Sequence, residues 1–362
     1  MKILFDYQIF NLQKFGGISK YYYNLSLNFA KKNINSEIYS PLFINLYGKD
    51  LMEKKMLKGK YIVDHPRFTT KLIDRINFYL SNSYLNKYYP DIFHVTYFNN
   101  KYKKFPKTKN ILTVYDLIHE KYPDYYKKNF HSKINSLNFA DHIICISENT
   151  KKDLLEFYNI EKDKVTTIHL GVDQENNNVN KIKRDKKFIL YVGDRNKYKN
   201  FDKFILAYSK SEILKKNFDI LCFGGNEFNK NEIKNFEELK IPKNVIFQIS
   251  GDDKTLKSYY LSAEFLIVPS LYEGFGLPLL EAMSLNCPVL CSRNSSLIEI
   301  GGDAAIFFDP QNYEDIKNTM ENFITNTTDR KKIIQKGKLN SQKYTWEKCA
   351  NKTLEVYKEV IK

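Results

Sequence analysis

A chain of 362 residues is longer than the about 100 to 200 residues of one ordinary domain, which predicts two folded units. An apolar fraction of 43% with 15% aromatics excludes a disordered or fibrous chain, and the lack of any run of about 18 apolar residues argues against a spanning helix. The formal charge of +15 favours an anionic partner, with nucleic acid, anionic lipid and phosphorylated small molecules all eligible; a bias toward Lys, Asn, Ile and Tyr is the alternative reason for it.

In chain order, "KILFDYQIF" reads as a first strand and not as a signal peptide, because Asp6 and Gln8 interrupt it and no small-residue cleavage site follows. A cytoplasmic protein is therefore expected. "GGISKYYYNLSLNFAKK" follows as a helix with Ile18, Tyr22, Leu25 and Phe29 on one face. Strand-like runs recur in "DIFHVTYF" (91–98), "NILTVYDLIHE" (110–120) and "HIICIS" (142–147). Ser147 then caps a helix over "ENTKKDLLEFY", and "KVTTIHLGVD" (164–173) reads as one more strand and turn. The polar stretch 174–187 reads as an interdomain linker.

The alternation restarts with strands at "FILYVG" (188–193), "FDILCFGG" (218–225), "NVIFQISG" (244–251), "EFLIVPS" (264–270), "PVLCS" (288–292) and "AAIFFDP" (304–310), separated by helical patterns. From about 312 onward the pattern is helical. Serial strand and helix units with apolar strands predict α/β architecture, two doubly wound domains in tandem.

The five cysteines are odd in number and scattered, which predicts reduced, buried thiols; the six histidines show no zinc-binding spacing. In "LYEGFGLPLLEAM" (271–283), Gly274 and Gly276 permit unusual backbone angles and Pro278 suits the first turn of a helix. The amides of Phe275, Gly276 and Leu277 would then lie at a helix N-terminus, a place suited to phosphate. Glu281 is expected in the first turn, where a carboxylate can be a simple dipole partner. Glu273, at the carboxyl end of a strand, is the stronger candidate for a working acid. No Walker lysine is present.

"PSLYEGFGLPLLEAM" followed by "CPVLCSRNSSLIEIGGDAAIFFDP" resembles the donor-site signature of the GT4 family of retaining glycosyltransferases, which have the GT-B fold of two Rossmann-like domains flanking a cleft. "FGGISKYYYNL", "ICISENTKKDLLEFY", "TTIHLGVD" and "LYVGDRNKYKNFDKFILAY" are similar to family segments in the family's order. The resemblance implies an acceptor-side domain over 1–175, a nucleotide-sugar domain over 176–345 and a C-terminal helix over 346–362 that crosses back to the first domain. It implies that Glu273 contacts donor-sugar hydroxyls, Glu281 the ribose, and the amides of Phe275, Gly276 and Leu277 the donor phosphates. Lys199 and Arg195, in "GDRNKYKN", are similar to the family's phosphate clamp; a solvated lysine-rich turn is the alternative. Gly16 and Gly17 resemble the family's N-terminal glycine pair beside the diphosphate.

One departure is "TVYDLIHE", where Tyr115 stands at a position that is histidine in many members. Asp116 or His119 is the candidate to act in its place. No D-x-D occurs, so a metal-independent reaction without cofactor is expected, with diphosphate charge met by Lys199, Arg195 and amides. The resemblance favours mannose from GDP-mannose as donor and a lipid-linked saccharide as acceptor, in O-antigen or capsule-type synthesis. The lysine and aromatic mixtures at 101–109 and 121–133 suit an anionic membrane surface, which predicts peripheral attachment. A catalytically idle scaffold of the same fold and a basic nucleic-acid-binding protein are the rival readings; no nucleic-acid recognition module supports the latter.

Overall fold

The computed structural model describes residues 1–63, 69–98, 101–125, 131–174, 179–195 and 197–362. The chain divides into two compact units, Met1–Leu117 with Lys127–Gly171 and Trp346–Lys362, and Ile118–Tyr126 with Val172–Thr345. Each is built on a parallel sheet.

The first unit contains strands β1 (Lys2–Phe5), β2 (Asn35–Phe43), β3 (Leu57–Tyr61), β4 (Ile92–Val95), β5 (Lys109–Val114), β6 (His142–Cys145) and β7 (Val165–Thr167). They lie in the order β3-β2-β1-β4-β5-β6-β7. The strand order reverses between β1 and β4, so this is where a doubly wound sheet opens a crevice at its carboxyl edge. Helices α1 (Gln8–Leu12), α2 (Gly17–Lys31), α3 (Leu46–Glu53) and α4 (Thr70–Tyr88) accompany the first strands. α5 (Ile118–Lys121) follows β5 but clusters with the second unit, and α6 (His131–Phe139) and α7 (Glu148–Phe157) complete the series.

Strands β4, β5 and β6 are buried along nearly their whole length, as strands covered on both faces must be. The expected first strand is shorter than its apolar run. β1 stops at Phe5 because Asp6 turns into the interior, and Gln8–Leu12 is helical. Sequence periodicity does not single out β2, whose run is broken by Pro41; the register shifts there, between Ser40 and Leu42. Ser147 caps α7 as expected, accepting a bond from the Thr150 amide.

The second unit holds β8 (Lys187–Val192), β9 (Phe218–Phe223), β10 (Ile246–Ile249), β11 (Phe265–Val268), β12 (Val289–Ser292) and β13 (Ile306–Phe308), ordered β10-β9-β8-β11-β12-β13. Its reversal lies between β8 and β11. The helices are α8 (Phe201–Ser209), α9 (Glu212–Asn217), α10 (Lys230–Glu238), α11 (Asp253–Ser262), α12 (Leu277–Ser284), α13 (Ser295–Gly301), α14 (Tyr313–Thr325) and α15 (Thr327–Ser341). Part of the expected linker 174–187 belongs to this unit. The Ile182 amide donates to Ser262 Oγ (2.7 Å), and Arg184 and Lys186 pair with the buried Asp219 at 2.9 and 3.2 Å. Residues 175–178 lie outside the described residues.

The last helix, α16 (Trp346–Ile361), belongs to the first unit and packs on α2. Trp346, Cys349, Ala350, Thr353, Leu354 and Tyr357 recur at helical spacing on its buried face.

Candidate donor site

The second sheet reverses where β8 and β11 lie side by side, and the loops after these two strands carry the candidate residues. β8 leads through Gly193 to Lys199, while β11 leads through Pro269 to Glu273. Two residues 74 positions apart in the sequence thereby meet: Lys199 Nζ donates to Glu273 Oε1 at 2.7 Å. Side-chain exposures of 18% and 14% take the pair largely out of water, where an ion pair is stronger than on a surface. Burial by itself lowers the Lys199 pKa, but the adjacent Glu273 carboxylate, with Tyr198 and Asp194, outweighs it and raises the pKa above the ordinary lysine value. Lys199 is therefore a permanent cation.

Glu273 is held from several directions. Ser270 Oγ donates to the same carboxylate oxygen at 2.6 Å. Its backbone N–H donates to Ser295 Oγ (2.9 Å), and its carbonyl accepts from Ser296 Oγ (2.7 Å). Asn294 bonds the Ser270 and Leu271 carbonyls, and Asn200 bonds those of Pro269 and Pro310. Ser270, Asn294, Ser295, Ser296 and Asn200 were not singled out from sequence. Their work is backbone anchoring across distant segments, which no local spacing announces, although "RNSS" lies within the resembling stretch.

After Glu273 the chain turns through Gly276, whose φ of +99° lies in the left-handed region and whose notional Cβ would sit 3.0 Å from Leu297 Cδ2. The left-handed backbone favours glycine at position 276, and the tight approach of Leu297 adds to the cost of any side chain there. Gly274 is not in the left-handed region, so of the two motif glycines only Gly276 serves the backbone in that way. α12 begins at Leu277 with Pro278 in its first turn, as expected. The first amides of a helix have no intrahelical acceptor, and this places Leu277 at a dipole end suited to an anion. Phe275 is buried, 3% exposed, with its ring edge-on to Tyr344.

Glu281 is the fifth residue of α12 and not in its first turn, so the dipole-partner reading loses its geometry. It is half-buried and accepts from the Tyr260 hydroxyl at 3.2 Å.

Arg195 departs from the expected phosphate clamp. Its Nε donates to Glu232 (2.6 Å), Nη1 to Gln248 (2.7 Å) and Nη2 to the Asn226 carbonyl (2.5 Å), and its plane lies against Phe228. The side chain is 5% exposed. Glu232 in turn closes the capping box of α10 with Asn229. All three guanidinium nitrogens are engaged, so Arg195 braces the loops around β8–β10 in this structure, and Lys199 is the cation bonded to Glu273.

The remaining candidates fall elsewhere. Gly16 and Gly17 form the N-cap and first residue of α2, where the Gly16 carbonyl accepts from Ser19 Oγ and the Lys20 amide at 3.0 Å each. Asp116 follows β5 in the first unit; its carbonyl accepts from Lys133 Nζ at 3.5 Å. His119 is exposed on the short α5. Tyr115 is 4% exposed and donates to the Tyr22 hydroxyl at 2.8 Å, so the residue at the departing position is built into the core. Of the lysine-rich stretches, 126–130 lie outside the described residues.

Two parallel doubly wound units, the second presenting a carboxylate, a lysine and a glycine-started helix at its sheet reversal, define the GT-B class. Comparison of the sequence gives the family: "Glycosyltransferase Family 4" matches residues 15–176 and "Glycosyl transferases group 1" matches residues 172–340. The chain belongs to the GT4 family of glycosyltransferases.

Among relatives, O-antigen chain mannosyltransferase B of Escherichia coli is 25% identical over 65% of this chain and 64% of its own length. An N-acetylgalactosaminyltransferase of Campylobacter jejuni, named for a diphospho-undecaprenol-linked saccharide, is 30% identical over 49% of this chain and 50% of its own. The chain spans less than two thirds of the length of these curated relatives. Anabaena HepE, solved in complex with UDP-glucose, superposes with a TM-score of 0.77 at 12% identity, covering 99% of this chain and 100% of that one. At that identity the likeness is one of fold.

Proposed function

We propose that the protein is a retaining, metal-independent glycosyltransferase that moves a hexose, first of all mannose from GDP-mannose, to a lipid-linked or polysaccharide acceptor in cell-surface glycan synthesis at the cytoplasmic face of the membrane. The observation that carries the reading is the Lys199–Glu273 pair beside the start of α12. A cation and helix amides suit a diphosphate, and a carboxylate suits the hydroxyls of the attached sugar. The mannosyltransferase and undecaprenol-linked relatives support the choice of sugar and acceptor.

In this reading the bond between the anomeric carbon and the donor phosphate breaks while the acceptor oxygen attacks the same face. The departing phosphate oxygen takes the acceptor's proton. Lys199 and the amides at Gly276 and Leu277 stabilise the charge gathering on the diphosphate, in place of a divalent cation. Glu273 orients the sugar, and Glu281, whose carboxylate is fixed by Tyr260, receives the ribose hydroxyls. Asp116 or His119 is the candidate to act in place of the histidine that many family members carry at the Tyr115 position, and Gly16 and Gly17 keep the role that family resemblance assigns them.

Thermal denaturation with GDP-, UDP-, dTDP- and ADP-linked sugars tests the donor. A ligand at a hundred times its Kd raises Tm by about 5 to 10 °C for units of this size, and GDP-mannose is expected to give the largest rise. Glu273→Gln should lower turnover by about 10²-fold or more with nucleotide affinity kept, whereas Glu281→Gln should weaken nucleotide binding with turnover at saturation kept. No shift with any nucleotide-sugar, or equal effects of the two substitutions, overturns the assignment. Release of nucleoside diphosphate in the absence of acceptor separates an enzyme from an idle scaffold.

A further inference from the structure

Helix α4 has two opposite faces. Its inner face buries Ile73, Asn77, Ser81 and Leu85. Asn77 is locked to β2, accepting from the Leu42 amide (2.8 Å) and donating to the Leu42 carbonyl (2.9 Å), which fixes the helix's rotation about its axis. The outer face therefore has no freedom to turn inward, yet it is apolar: Leu72, Ile76, Tyr79 and Leu80 are 58%, 37%, 71% and 46% exposed. Their spacing sets them in one stripe along the helix. A contiguous exposed stripe of this kind marks an interaction surface, unlike scattered surface leucines.

The charge around the stripe is of one sign. Lys71 and Arg75 are exposed along its edge. The helix has one acidic residue, Asp74, which is turned away, accepting from the Tyr7 hydroxyl at 2.9 Å and pairing with Lys101. That pair, with the Phe78–Tyr102 ring contact at 5.4 Å, draws the start of the lysine-rich stretch 101–109 against α4 and leaves Lys103 and Lys107 exposed nearby in sequence.

We infer that the outer face of α4 is a docking surface for an anionic lipid bilayer, with Leu72, Ile76, Tyr79 and Leu80 entering the headgroup boundary while Lys71 and Arg75 meet lipid phosphates. An apolar face edged by basic residues, with an aromatic hydroxyl at the boundary, is the composition of an interfacial helix. A second copy of the chain fits less well, since a two-fold contact would set the same basic edges against each other. The inference rests on the proposed function only for its purpose, which is to hold the enzyme where a lipid-linked acceptor lies; the binding itself needs no substrate.

Flotation of the full chain with phosphatidylcholine vesicles containing 30% phosphatidylglycerol, against pure phosphatidylcholine, tests it without any sugar present. The protein should float with the anionic vesicles and stay behind with the neutral ones. Ile76→Glu with Leu80→Glu should lower partitioning by about a hundredfold while leaving Tm and the nucleotide-sugar Tm shift unchanged, because both side chains are exposed. Arg75→Glu should weaken binding and flatten its salt dependence. The inference is overturned if the double variant floats as well as the parent, if the parent prefers neither vesicle, or if sedimentation shows a dimer that the double variant dissolves. Because the nucleotide-sugar shift is read on the same samples, failure of membrane docking is distinguishable from failure of the proposed function.

Discussion

Asp6 leaves the end of β1 at the reversal of the first sheet and is fully buried. Its carboxylate accepts from the Thr96 amide (2.8 Å), Thr96 Oγ1 (2.5 Å) and Gln8 Nε2 (2.5 Å), and Thr96 Oγ1 in turn accepts from the Ile9 amide. Burial pushes its pKa up to about 6, against the opposing pull of these bonds. The folded state thus holds the Asp6 proton to higher pH than the unfolded chain does. The stability this lends is complete below about pH 4 and is lost as pH rises through about 6, a change of roughly 3 kcal/mol. Asp6→Asn, with the Gln8 amide turned to present its oxygen, keeps the bonds without the charge. Denaturant titrations from pH 4 to 7.5 should show the parent losing stability relative to the variant as pH rises, and parallel curves would show that Asp6 does not titrate there. In the sequence Asp6 registers only as a polar interruption of a strand, because its burial depends on Thr96, which arrives with β4.

Among the elements, α16 shows how much a helix far along the chain can contribute to the first unit. The Tyr357 hydroxyl bonds His94 Nδ1 at 2.5 Å, and His94 Nε2 bonds Thr113 Oγ1 at 2.8 Å. His94 is buried in β4 and desolvation pushes its pKa down to about 3, so it stays neutral. Tyr357→Phe strips a partner from this buried ring nitrogen and should cost about 1 to 3 kcal/mol in urea denaturation, whereas Glu355→Ala on the exposed face of the same helix should cost almost nothing. The two-unit α/β order, the capped α7 and the start of α12 were legible in the sequence because strand periodicity, a serine cap and a glycine–proline turn are local signals. The Lys199–Glu273 contact was legible only as two separate motifs, since what joins them is the adjacency of β8 and β11. Arg195 shows the opposite case: its type and position suit a phosphate, but Glu232 and Gln248 come from α10 and β10, and nothing near it in sequence announces them. The outer stripe of α4 was missed for a related reason, because periodicity reveals apolar stripes without showing which one the sheet covers.

At the scale of the whole molecule, the five thiols are free and buried, and burial pushes those of Cys287 and Cys349 up to about 12. None should react with an aromatic disulfide reagent in the native state. Cys145 and Cys349 lie in the first unit, Cys222, Cys287 and Cys291 in the second. Labelling along a urea gradient, read by peptide mass, should expose Cys145 and Cys349 together; labelling of Cys349 with the second group would contradict the grouping of α16 with the first unit. That grouping also sets an order in time. The face of α2 that α16 covers is synthesised early, but its cover follows the whole of Val172–Thr345. At roughly 5 to 20 residues per second, this leaves the first unit's core open on the ribosome for about 10 to 35 s, long enough for the second unit to fold first and for chaperones to find the uncovered face.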